Sequence, residues 1–168
     1  MYHVIIFWSV VLPAWTDQVA GVEGKDYIVR ALRIYSPLRI DGRLEEEAWK
    51  EADAVEGFTQ REPDGGEPAS ERTWVKVLYD DRKIYFGFMC FDSRPDRIVA
   101  NEMRRDSNLG ENDSVEILID TYNDRRGGFF FRVNPLGAKE DALVTEGRAD
   151  RNWDCIWEAK AHIDRRGW

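Results

Sequence analysis

Two short segments of strict apolar–polar alternation constrain this chain more than anything else in it. In the first, Val115, Ile117 and Ile119 fall on one side, and Ser114, Glu116, Leu118 and Asp120 on the other. In the second, Phe129, Phe131 and Val133 share a side, and Phe130, Arg132 and Asn134 the opposite one. Side chains of a strand point alternately to its two faces, so period two marks half-buried strands. The connection Tyr122-Asn123-Asp124-Arg125-Arg126-Gly127-Gly128 is polar and ends in glycine, as a hairpin link does. The stretch predicts an antiparallel pair with one face in a core and Glu116, Asp120, Arg132 and Asn134 on the other. That polar row is either solvated surface or a binding face.

The rest of the chain repeats the theme. Ala31–Tyr35 reads as a first strand. Leu44, Ala48 and Ala52 recur every four residues with Trp49 alongside, which predicts a short helix capped by Asp41, with Trp49 as a core anchor. Gly57–Ser70 is a Gly- and Pro-rich loop. Trp74–Tyr79 and Ile84–Phe91 form a second hairpin around Asp80-Asp81-Arg82-Lys83, the latter strand apolar on both faces and so central. Asp96–Met103 holds a helical turn. Ala142–Thr145 is a short strand, Glu146–Asp154 a loop, and Trp157–Ile163 alternates again. Arg165-Arg166-Gly167 is turn-like and ordinarily leads into a hairpin partner. The fold class expected is therefore all-β: an antiparallel β-sandwich, jelly-roll or immunoglobulin-like, with one short helix and lacking its last strand or strands.

At 168 residues the chain suffices for one domain with a real core. A net charge of −8 disfavours nucleic acid and anionic membrane as partners. The apolar run Val4–Trp15 is too short to span a bilayer. With Ala20 and Gly21 following, it reads as a secretory signal over residues 1–21, ahead of a polar linker over 22–30 and the domain over 31–168. Of the two cysteines, Cys90 sits inside a strand pattern; a disulfide with Cys155 and a free buried thiol both remain open. No GxSxG, HExxH, P-loop or GxGxxG pattern occurs. A glycosidase needs only two carboxylates, which counting cannot exclude among 32 acidic residues.

The motifs in order are Ile40-Asp41-Gly42-x-Leu44-x-Glu46-x-x-Trp49, Val77-Leu78-Tyr79-Asp80-Asp81 with Ile84-Tyr85-Phe86-Gly87, Arg104-Arg105-Asp106, Asn112-Asp113-x-Val115-Glu116 with Asp120, Phe131-Arg132-Val133-Asn134-Pro135-x-Gly137, and Trp153 with Trp157-Glu158-Ala159. Together they resemble carbohydrate-binding module family 9. The likeness is strongest to the family-9-like domain at the N-terminus of large bacterial envelope proteins, where a barrel-like region follows. The resemblance implies a sandwich that grips a glycan between aromatic rings, without catalysis, in a secreted protein or in the periplasm or outer-membrane envelope. It also implies structural calcium in some members.

The residues themselves supply the two kinds of group a sugar needs. Pyranose C–H faces stack on aromatic rings, and hydroxyl rims take hydrogen bonds from Arg, Asp, Glu and Asn. Trp153, in a polar loop and outside any alternation, is either a sugar platform or a structural plug; Trp157 shares a face with Ala159 and Ala161 and belongs to the core. Trp74 is the candidate second ring, with Arg104, Asp106, Glu116 and Asn134 as the polar set. Cross-strand pairing alone would also explain Glu116 and Arg132. For calcium, Asp113, Asp120 and Asp124 are the candidates beside Glu116, although no EF-hand spacing is present. The alternatives are an envelope interaction domain without glycan affinity and an accessory domain of a glycoside hydrolase. An open Trp ring beside polar groups would separate these from a sugar site.

Overall fold

The computed structural model describes residues 3–7 and 29–168. Most of the expected signal segment and linker lies outside the described residues. The chain is all-β, as its alternation predicts. Its strands are β1 (His3–Phe7), β2 (Leu32–Arg33), β3 (Ala54–Val55), β4 (Thr73–Tyr79), β5 (Ile84–Cys90), β6 (Ser114–Ile119), β7 (Gly127–Val133), β8 (Lys139–Thr145) and β9 (Arg148–Asp150). A five-residue helix, α1 (Glu47–Glu51), and a 3₁₀ turn at Pro95–Arg97 complete the described elements. They fall into two compact units. One holds Val99–Ala159 with the N-terminal segment, and the other holds Tyr27–Ile98 with Lys160–Trp168.

The first unit is a five-stranded sheet in the order β1-β6-β7-β8-β9. β1 runs parallel to β6, and every other pair is antiparallel. The register sets Glu116 opposite Arg132 and Arg132 opposite Glu140, so these three lie in a row on one face. Ile117, Phe131 and Asp141 form the corresponding row on the other. Neither face is simply core or solvent. Glu116 and Glu140 are buried on the first, Val115 and Asp141 on the second.

Glycines set the sheet's tight points. At Gly128 a side chain would come within 2.7 Å of the Ile119 carbonyl, and at Gly127 it would collide with that of Val144. Glu146 and Gly147 both have positive φ (49° and 76°), the two-residue turn whose twist suits a hairpin, and they join β8 to β9. The loop expected over Glu146–Asp154 thus contains a short strand.

In the second unit β4 is central. β5 pairs with it along its full length, while the short β2 and β3 pair with its other edge. The core there is Ile34, Trp49, Ala52, Leu78 and Tyr85. Trp49 is 5% exposed, the anchor its helical spacing predicted. A ring of that size buries roughly 150–250 Å². Gly87 makes room for it, since a Cβ there would lie 2.7 Å from the indole. Asp80 organises the β4–β5 turn by accepting the N–H groups of Arg82 (2.7 Å) and Lys83 (2.8 Å), and it accepts the Tyr85 hydroxyl at 2.7 Å.

Two expectations fail. Asp41 does not cap α1. Its carboxylate accepts the Arg43 N–H at 2.9 Å within a turn through Gly42, and the residue at the cap is Glu46, whose side chain makes no capping bond. Residues Trp157–Ile163 form no strand. Alternation reports an extended amphipathic backbone, but a ladder also needs a neighbouring backbone in register.

Candidate functional site

The segment leading to Arg105 and Asp106 is held by three buried polar residues of the first unit. Asp113 donates its N–H to the Val99 carbonyl (2.8 Å) and accepts the Val99 N–H on its carboxylate (2.7 Å). The Asn112 side-chain oxygen accepts the N–H groups of Asn101 (2.9 Å) and Glu102 (3.3 Å). Asn134 donates from Nδ2 to the Glu102 carbonyl (2.7 Å) and to Asn112 Oδ1 (3.1 Å), while its Oδ1 accepts the N–H groups of Leu136 and Ala138. Asn112 and Asn134 are almost fully buried, where each unmade bond would cost about 1–3 kcal/mol.

Beyond this clamp Glu102 folds over the N–H groups of Met103 and Arg104 and pairs with the Arg104 guanidinium at 2.8 Å. These bonds, led by that from the Arg104 side chain, hold its carboxyl at about 2, well below the usual carboxylate range. Asp106 follows with φ 57°, a left-handed backbone that aspartate tolerates better than most residues. Its N–H donates to the Lys139 carbonyl at 2.9 Å, which ties the loop to β8.

Arg105 sits at the centre of the site. Its Nη2 donates to Asp141 (3.0 Å), to Asp154 and to the Cys155 carbonyl (3.2 Å), and its Nε donates to Asp106 (3.0 Å). The second oxygen of Asp141 accepts the Cys155 N–H at 2.6 Å. Asp141 has no exposed side-chain surface, whereas Arg105 and Asp106 are about 40% exposed and Asp154 is 72% exposed. Carboxylate oxygens of Asp106, Asp141 and Asp154 lie within 4.8 Å of one another, with one guanidinium bonded to all three residues. The one guanidinium offsets a single one of these three carboxylate charges.

Aromatic rings adjoin the cluster on the same sheet face. The half-buried Trp153 lies on Phe129, ring centroids 5.1 Å apart and planes 31° apart, and meets Phe131 edge-on at 6.4 Å. Trp157 meets Phe131 edge-on at 5.0 Å. Lys139 Nζ stands 4.9 Å from the Trp157 ring centre and donates to the Trp157 carbonyl. The Trp157 indole N–H is enclosed and has no hydrogen-bond partner among the described residues.

Of the candidates from sequence, Trp153 and Asp106 come together here, with the 154–155 segment between them. Arg104 points away, 82% exposed and paired with Glu102. Glu116 is on the opposite sheet face, bonded to Arg132 at 2.7 Å. Asn134 is enclosed in the clamp. Trp74 belongs to the second unit, half-buried on β4 with Lys76 Nζ 5.3 Å from its ring. The proposed metal ligands are spread out: Asp113 bonds Val99, Asp120 accepts the N–H groups of Tyr122 and Arg125, and Asp124 accepts that of Arg126. Arg105, Asp141 and Asp154 were not among the candidates. The signal for Arg105 was the Arg-Arg-Asp run itself, in which alternation cannot say which arginine turns inward. Neither Cys90 nor Cys155 is in a disulfide. A depression of about 290 Å³ in the second unit is lined by Arg39, Asp41, Arg43, Glu45 and Glu46, all charged, and offers no ring to a sugar.

Residues 40–134, more than half of the chain, match the family described as carbohydrate family 9 binding domain-like. The chain belongs to that family. No curated protein and no solved structure gives a significant match. As a carbohydrate family 9 binding domain-like protein it is a carbohydrate-binding module in general class. The matched residues include the clamp and Arg105, and they end at Asn134, so Asp141, Trp153 and Asp154 lie beyond them.

Proposed function

We propose that the chain is a non-catalytic module that binds a polysaccharide or oligosaccharide on the Trp153 face of its first unit. One observation carries the reading: a half-buried indole laid on Phe129 beside a cluster whose Arg105, Asp106 and Asp154 reach solvent. The ring offers an apolar surface to a pyranose, and the neighbouring charged groups offer donors and acceptors to its hydroxyls. Because Phe129 and Phe131 already fix the ring, little side-chain freedom is lost on binding. A shallow stack with a few exposed hydrogen bonds still leaves a small surplus, so affinity is weak, with a Kd of roughly 0.1–1 mM. The apolar pattern of residues 1–21 supports export through a secretory signal, with 22–30 as a linker, so the module works outside the cytoplasm, in the envelope or beyond it, joined to further domains. Cleavage of that signal would take β1 from the edge of the sheet, next to β6.

Calorimetric titration with soluble glucans, xylans and mannans tests this. Saturable binding is expected, and Trp153→Ala should weaken it at least tenfold while the far-ultraviolet spectrum stays unchanged. A folded chain that binds no glycan in a broad panel would sink the proposal and favour an envelope interaction domain or an accessory part of a larger hydrolase.

A further inference from the structure

We infer that Asp141 is a positioning residue: with Arg105 it holds the N–H and the C=O of Cys155 and thereby fixes Trp153 in its platform pose. The inference rests on the glycan-binding reading above and deepens it. Residues 151–161 lie outside any ladder, so no neighbouring strand sets where Trp153 points. The peptide groups of Cys155 instead meet side chains. Its N–H donates to Asp141 Oδ2 at 2.6 Å, and its carbonyl accepts from Arg105 Nη2 at 3.2 Å. Arg105 and Asp141 are themselves bonded at 3.0 Å, which closes a ring of three hydrogen bonds around one residue. Arg105 also holds Asp154, the residue between Cys155 and Trp153.

Asp141 is suited to this because it is immobile. It stands on β8 opposite Phe131, the residue whose ring both indoles touch, and it is 1% exposed. A fully buried carboxylate needs its charge met, and Arg105 meets it. The clasp therefore joins the sheet, the Arg105 loop and the 153–155 segment, and it fixes the backbone beside Trp153 where Phe129 and Phe131 meet only its ring. Asp141 reaches no ligand itself. It acts through Trp153.

The test uses the intact chain in two arms. Without glycan, amide exchange and the indole ¹⁵N–¹H resonance of Trp153 are compared between wild type and Asp141→Asn. The asparagine keeps the shape but gives up the charge that holds Arg105. Protection of the Cys155 amide should fall roughly tenfold or more. The Trp153 resonance should move to that of a solvated indole, while amide protection along β6 and β7 is retained. If β6 and β7 also lose protection, Arg105→Lys becomes the deciding variant, since a lysine cannot bond three partners in a fork. A Trp153 resonance and Cys155 amide unmoved in a variant with β6 and β7 intact overturns the inference. With glycan, Asp141→Asn should weaken binding about as much as Trp153→Ala, and the double variant should be no weaker than Trp153→Ala alone. Fully additive losses would mean that Asp141 does not act through Trp153 and would equally overturn it. Should wild type bind no glycan, the function falls, but the first arm still decides the clasp.

Discussion

Asn134 and Asp106 show how the same residue types end in opposite roles. Both belong to polar motifs that suit sugar hydroxyls. Asn134 spends both ends of its amide on four partners inside the unit, so nothing of it is left for a ligand. Asp106, held by its own N–H, leaves its carboxylate half open beside Arg105. A sequence gives the donors and acceptors of a residue but not how many are already used, and for that reason Glu116 and Arg104 could not be sorted from Arg105 in advance. Glu102 makes the point in terms of pH. Its carboxyl is lowered from 4.5 to about 2, chiefly by the Arg104 side chain. A depressed folded-state value means that its contribution is present above about pH 4.5 and is lost as pH falls toward 2. Thermal unfolding followed from pH 5 to pH 2 should therefore be less steep in Glu102→Gln than in wild type. An identical slope would show that the pair contributes nothing to stability.

At the scale of elements, the row Glu116–Arg132–Glu140 is the most demanding feature of the sheet. Arg132 bonds Glu116 at 2.7 Å and Glu140 at 3.0 Å from neighbouring strands, and Arg151 reaches Glu140 at 3.2 Å. Both glutamates are buried, their side chains 11% and 4% exposed. Arg132→Ala leaves two buried like charges and should cost about 3–5 kcal/mol in urea unfolding. Adding Glu116→Gln and Glu140→Gln should recover much of that loss; a variant that stays as unstable would show that packing on Phe130, not charge, was what mattered. The strands that build this row were legible because their alternation is strict, and Gly127-Gly128 marked the close approach of their partners. Trp157–Ile163 carries an equally clean alternation and forms no strand. Period two fixes which side chains share a face, whereas pairing depends on where another backbone lies; in this segment Trp157 meets the Lys139 side chain instead. The Asp41 cap failed for a related reason: a carboxylate next to glycine found a nearer N–H in its own turn.

For the whole molecule, the order of residues and the grouping of residues differ. The chain leaves the second unit at Ile98, builds the first through Ala159, and returns for Lys160–Trp168. That last stretch covers the C-terminal end of β5: Cys90 exchanges two hydrogen bonds with Trp168 (2.8 and 3.0 Å), and the Asp92 N–H donates to the Arg166 carbonyl at 2.9 Å. Gly167 permits the approach, because any Cβ there would strike the Cys90 carbonyl. Removing residues 160–168 should raise amide exchange at Cys90 and Asp92 and lower the stability of the second unit, while the Trp153 resonance keeps its position. Loss of the Trp153 signal instead would mean that the two units do not fold separately. The same arrangement sets a schedule for synthesis. Translation proceeds at roughly 5–20 residues per second, so the Cys90 end of β5 waits several seconds for its partner while the whole Arg105–Trp153 region is made after it. The second unit, begun before the Arg105 region, is finished after it, and during that interval the newborn chain offers the uncovered Cys90 end of β5 to whatever reaches it.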